Sequence, residues 1–176
     1  MIILYSILFG ITMKLADLVD EHKLKLFKGD KFVFGFLEAL FAILLIASRV
    51  DVANVTFAMV LAFLARMRLD HRNHAIAATA IFIGFAWIGK FEPIIFFTFL
   101  IVFLIFGALR DYLGDVRKKK DWLYKINEPA WYYVIPTAIY GFVTSNWIIF
   151  IVFTVYIIFY DLTKYLLYSM KKYKEL

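Results

Sequence analysis

The chain has no cysteine among its 176 residues, and only three prolines and eight glycines. Without thiols there is no disulfide framework, no thiolate metal site and no cysteine nucleophile. No Gly-rich phosphate loop, HExxH zinc helix or serine-nucleophile motif occurs, which argues against an ATP-driven pump and an intramembrane metalloprotease. No tandem repeat and no low-complexity linker breaks the chain, so residues 1–176 read as one domain. The first residues, "MIILYSILFGITM", lack a basic leader and a small-residue cleavage site, and read as a retained helix.

What fills the chain instead is hydrophobic: 64% of residues, 20% aromatic, with mean hydropathy +0.79. A soluble domain is nearer half apolar, and one this apolar would leave large greasy patches in water. The composition is that of an integral membrane protein. A hydrocarbon core takes a helix of about 20 apolar residues, at the short end about 17. Seven stretches qualify, roughly 1–17, 32–48, 52–68, 74–90, 92–110, 130–145 and 147–168. They are apolar on all sides, so a strand reading, which needs alternation and closure, is poor. Gly89 and Pro93 punctuate one turn, and Ser145 or Asn146 can cap the last helix. Pro136 falls inside the sixth span and is expected to kink it.

The positive charges are sorted by loop. Lys14, Lys23, Lys25, Lys28 and Lys31 flank the first loop, Arg66, Arg68 and Arg72 the third. Arg110, Arg117, Lys118, Lys119, Lys120 and Lys125 lie in the fifth, and Lys171, Lys172 and Lys174 in the tail. The second loop has only Arg49, the fourth only Lys90 and the sixth none. The positive-inside rule then predicts an all-α bundle of about seven spans, N-terminus outside, C-terminus cytoplasmic, multi-pass in the cell membrane. Trp87, Trp131 and Trp147 near span ends suit interfacial anchoring. Anionic lipid headgroups account for the net charge of +6 without nucleic acid, and "RKKKDWLYK" (117–125) reads as an ordinary positive-inside loop. Nothing in the sequence fixes the oligomeric state.

The acids gather on the side of the lysines. Asp17, Asp20 and Glu21 share a helix face at i, i+3 and i+4, as do Asp111 and Asp115 at i, i+4. Asp70 lies on the same side, and Asp161 in the last turns of the seventh span. Clustered carboxylates repel one another at a membrane boundary. Mg2+ binds through one or two carboxylates and completes its shell with water and phosphate oxygens, so two such pairs could hold a diphosphate, with arginines taking the remaining charge. The same acids beside lysines also describe a plain solvated boundary, each exposed pair worth under about 1 kcal/mol.

"ADLVDE" (16–21) and "RDYLGDVRK" (110–118), with four spans between them, resemble the two Asp-rich motifs of the UbiA superfamily of membrane prenyltransferases. Ala16 and Leu24 stand where that family usually has Asn and a further acid, Ala108 replaces a third acid of the second motif, and two of the family's nine helices have no counterpart. The resemblance implies a bundle with a central cavity and an isoprenyl diphosphate bound through Mg2+ at its cytoplasmic mouth. It implies transfer of the isoprenyl group to an acceptor the sequence does not name. Asp17, Asp20, Asp111 and Asp115 would be Mg2+ ligands, and Arg66, Arg68, Arg110 and Lys14 would contact the diphosphate. Aromatic faces would stabilise the allylic cation. The alternative is a non-catalytic membrane protein: a polyprenyl- or lipid-binding protein, a small transporter or a structural partner.

Three further residues stand out. Glu38, about two turns into the second span, is an intramembrane ionisable group and hence a functional candidate, in reach of the first acidic motif or of Lys14. His71 and His74, at i, i+3, could place two ligands on one face, but neighbouring arginines repel a cation. His22 reads as a headgroup-level polar residue.

Overall fold

In lipid the backbone must satisfy its own polar groups, and long apolar segments do so as helices. A computed structural model of the chain describes residues 1–20, 23–69, 71–88, 90–118 and 122–174, with side chains except those of Glu128 and 168–174. Glu21, His22, Asp70, Gly89, Lys119 and Lys120 lie outside the described residues. Those described are helical with short turns and contain no strand. The elements are α1 (Ile2–Asp20), α2 (Asp30–Ser48), α3 (Val50–Ala65), α4 (Arg72–Ile88) and α5 (Pro93–Asp111), which continues in a π-helical turn, Tyr112–Val116. After these come α6 (Trp122–Ile126), a π-helical stretch (Asn127–Val134), α7 (Ile135–Thr144) and α8 (Ile148–Lys174). Four segments are long and apolar enough to cross a membrane: Ile2–Asp20, Asp30–Ser48, Pro93–Val116 and Ile148–Leu167.

Helix α3 is shorter and sits inside, with α2, α4, α5 and α8 packed against it. Its buried Ala53, Ala58 and Ala62 let neighbouring backbones approach closely. Outside this core, α5 presents Ile94, Phe97, Ile101 and Ile105 on one exposed stripe, and α4 presents Ile76, Ile83 and Trp87. A surface of that kind suits lipid and not water. A file of rings, Phe99, Phe103, Tyr132, Tyr133, Tyr156 and Phe9, crosses the interior from α5 to α1.

The helical run containing the sixth predicted span begins at Trp122, eight residues before the expected 130. Its charged start, "DWLYKINEP", hides it from a hydropathy reading. Pro129 and Pro136 cannot donate to the preceding turn, and their rings crowd it; the backbone widens into π geometry over Asn127–Val134, between and around them. Helices α1, α5 and α8 also run past their apolar stretches, because polar turns continue a helix once its ends are held by side chains.

At the end opposite the acids, one carboxylate ties three loops. Asp51 accepts from Arg49 Nε (3.0 Å) and Nη2 (2.8 Å), from Asn146 Nδ2 (2.7 Å) and from the Val52 amide (2.8 Å). The hydrogen bond to Asp51 holds the Arg49 guanidinium above its ordinary range against the opposing effect of burial. Asn54 spans to the α4–α5 loop, donating to the Lys90 carbonyl and accepting from the Glu92 amide. Asn146 Oδ1 meanwhile accepts from the Ile148 amide at 3.4 Å, the cap that the turn chemistry predicted. Asp51→Ala is expected to cost about 2 kcal/mol, below the range for a fully buried pair because Arg49 is half exposed. Thermal unfolding in detergent measures it; an unchanged midpoint would remove the clamp from the account.

Candidate functional site

The polar residues of the other end are placed by a close helix crossing. Ser6 and Gly10 form a small-residue face on α1. Ser6 Oγ donates to the Val152 carbonyl at 2.5 Å, and a Cβ on Gly10 would lie 2.5 Å from the Tyr156 carbonyl oxygen. One turn on, the Tyr156 hydroxyl contacts Met13 Sδ at 3.0 Å. Another turn on, the Tyr160 hydroxyl donates to Asp17 Oδ2 at 2.6 Å and accepts from Lys14 Nζ at 2.9 Å. Partners advance together on both helices, so α1 and α8 run parallel and in register. Lys14 and Asp17 are themselves paired at 3.3 Å, and both are buried.

Helix α4 closes the other side of Asp17. His74 Nε2 lies 3.3 Å from Asp17 Oδ1, and His71 Nδ1 lies 4.0 Å from Asp20 Oδ2. The i, i+3 spacing of the two acids thus meets the i, i+3 spacing of the two histidines as two rungs between helices. Glu38, 1% exposed, brings Oε1 to 4.0 Å from His74 Nδ1. Its described partner is therefore His74. Asp20 is also paired with Lys31 at 3.3 Å.

A second group joins α3 to α5. Arg66 Nη1 pairs with Asp111 Oδ2 at 3.0 Å, Nη2 donates to the Tyr132 hydroxyl at 3.1 Å, and Nε donates to the Ala62 carbonyl at 3.2 Å. Arg68 bridges Asp111 Oδ1 at 2.9 Å and Asp115. Its hydrogen bond to Asp115, with Asp111 beside it, holds the guanidinium above its ordinary range although burial opposes this. Gly107 makes the group possible: a Cβ there would lie 2.3 Å from Arg66 Cζ. Arg110 stands over the Tyr124 ring, 5.9 Å from its centre.

All the candidates therefore occupy one end of the bundle, in two groups. Lys14, Asp17 and Asp20 are tied to α2, α4 and α8; Arg66, Arg68, Asp111 and Asp115 tie α3 to α5. Tyr160, Tyr132, Gly107 and Gly10 escaped the sequence reading. Only the Ser6/Gly10 spacing carried a signal that could have found them.

The donor set can be tested for a hard divalent ion. Asp17 Oδ1 is buried and accepts no hydrogen bond from the described residues, which fits. Both oxygens of Asp111 accept from guanidiniums, so Asp111 and Asp115 would have to release Arg66 and Arg68 before ligating an ion. Among the described residues no three His, Asp or Glu side chains form a group placed to hold a metal ion. Set against family models, curated proteins and solved structures, the chain matches none of them.

Proposed function

We propose that this chain is a multi-pass cell-membrane protein of seven spans, N-terminus outside and C-terminus cytoplasmic, that transfers an isoprenyl group from a prenyl diphosphate to an acceptor in a Mg2+-dependent reaction. The observation that carries the reading is the meeting of α1 acids and α3/α5 arginines at one end of the bundle, the end where the lysines also gather. Parallel α1 and α8 agree with an odd number of passes. Asp17 and Asp20 would hold Mg2+, which offsets charge on the departing diphosphate. Arg66 and Arg68, kept in place by Asp111 and Asp115, supply the planar donors that a diphosphate oxygen takes. In the reaction the allylic C–O bond breaks, its electron pair leaves with the diphosphate, and the acceptor bonds to the carbocation and loses a proton.

A second reading is a non-catalytic bundle, favoured by one observation: each of Asp17, Asp20, Asp111 and Asp115 already has a cationic partner. Binding of geranylgeranyl diphosphate to the detergent-solubilised protein separates the two. The enzyme reading expects binding with Mg2+, about 100-fold weaker in Asp17→Ala and in Arg66→Ala, as loss of charge-assisted contacts of about 3 kcal/mol implies. No binding with Mg2+ present removes it.

A further inference from the structure

The two Asp–His rungs differ. We infer that the deeper one, Asp17 with His74, is a binding site for a transition-metal ion of the Zn2+ class, with Glu38 as the carboxylate that orients the imidazole. This rests on reading that end of the bundle as a ligand site, and it specifies the ion held there.

The first ground is a length. Asp17 Oδ1 and His74 Nε2 are 3.3 Å apart. Two ligands each about 2.0 Å from a tetrahedral Zn2+ are themselves about 3.3 Å apart. The second is the state of Asp17. Its Oδ2 is fixed by Tyr160 and Lys14, while Oδ1, on a side chain that is 5% exposed, accepts no hydrogen bond from the described residues. One lone-pair side of a rigid carboxylate is thus presented to the imidazole edge. The third is the far side of the ring, where His74 Nδ1 faces Glu38 Oε1 at 4.0 Å. A carboxylate behind a ligating histidine fixes its tautomer and raises its basicity.

Charge agrees with these. Two buried carboxylates, Asp17 and Glu38, face one lysine, Lys14, so a neutral imidazole leaves the cluster net negative. Asn73, beside His74, is 4% exposed, and neither atom of its amide has a hydrogen-bond partner among the described residues. An ion and its water would give this amide a polar neighbour. Two protein ligands leave positions open, as in sites that take a substrate oxygen. Imidazole favours transition metals, whereas Mg2+ prefers carboxylate and water, so the selectivity is opposite to that of an all-carboxylate site.

The test uses the full-length protein in detergent, stripped with chelator and titrated with Co2+, whose visible ligand-field bands report tetrahedral nitrogen ligation. Saturable binding of about one ion per chain is expected, resistant to excess Mg2+. His74→Gln and Asp17→Asn should weaken it about 100-fold or more. Asp51→Asn, at the opposite end, should bind as the parent does. Monodisperse elution and helical circular dichroism establish that each variant is folded. If His74→Gln fails to fold, the parent spectrum decides: tetrahedral nitrogen bands support the site, and a spectrum like that of the aqueous ion overturns it. Undiminished binding in folded His74→Gln also overturns it, and reduces the rung to an ion pair. Co2+ binding without geranylgeranyl diphosphate binding removes the prenyl-transfer reading alone. Mg2+-dependent diphosphate binding without a Co2+ site removes this inference alone.

Discussion

Gly10→Val is expected to push α1 away from α8 and to lower the thermal midpoint in detergent by about 6–12 °C, the shift that ~3 kcal/mol produces in a chain of this size. The space is blocked by backbone: a Cβ would stand 2.5 Å from the Tyr156 carbonyl oxygen and 3.3 Å from the Tyr160 amide nitrogen. No rotamer change relieves such a clash, so the cost lies at the upper end of the ~1–3 kcal/mol usual for overpacking. The displacement also stretches the bonds that follow in register, Tyr160 to Asp17 and Lys14 to Tyr160. Gly10→Ala should move the midpoint in the same direction by less. A valine variant as stable as the parent would falsify the close crossing.

Arg66→Ala is expected to be nearly as costly, by ~3 kcal/mol, the low end for a buried ion pair that loses one partner. The guanidinium is 8% exposed and Asp111 is 21% exposed, so truncation strands a carboxylate with limited access to water. Arg68 still reaches Asp111 Oδ1, which keeps the loss from being larger. The double variant Arg66→Ala/Asp111→Ala should recover part of the stability, because the stranded charge is gone. Arg66→Lys should not restore the parent, since a point charge cannot serve Asp111, Tyr132 and the Ala62 carbonyl at once. Chemical unfolding of the four proteins measures the coupling; strictly additive losses would mean that the pair contributes nothing.

Helix positions were legible because hydropathy marks lipid-grade segments directly, and each of the seven expected stretches falls on a helix. Helix ends were not, since Asp20, Val116 and Lys174 lie where polarity has already risen. The early start at Trp122 was hidden for the same reason. Within the site, spacing placed Asp17 with Asp20 and Asp111 with Asp115, because neighbours on one helix are fixed by its period. Partners across helices are set by rotation and register, which a single sequence leaves open. Glu38 was in reach of Lys14 on depth alone, yet His74 is what faces it. Tyr160, among eleven tyrosines, carried no mark of its contact with Asp17. The glycines at 10 and 107 are read only once their neighbours, a carbonyl and a guanidinium, are known.

The in-register pairing of α1 with α8 has a consequence for biogenesis. Ser6 and its acceptor at Val152 are 146 residues apart in the chain. While the ribosome is still elongating, the first helix must wait in the bilayer with its lysine and aspartate unshielded by the phenol that later covers them. The charged groove is therefore finished only when the last segment is released, and a nascent chain stalled before it would carry an open polar seam for membrane quality control to detect.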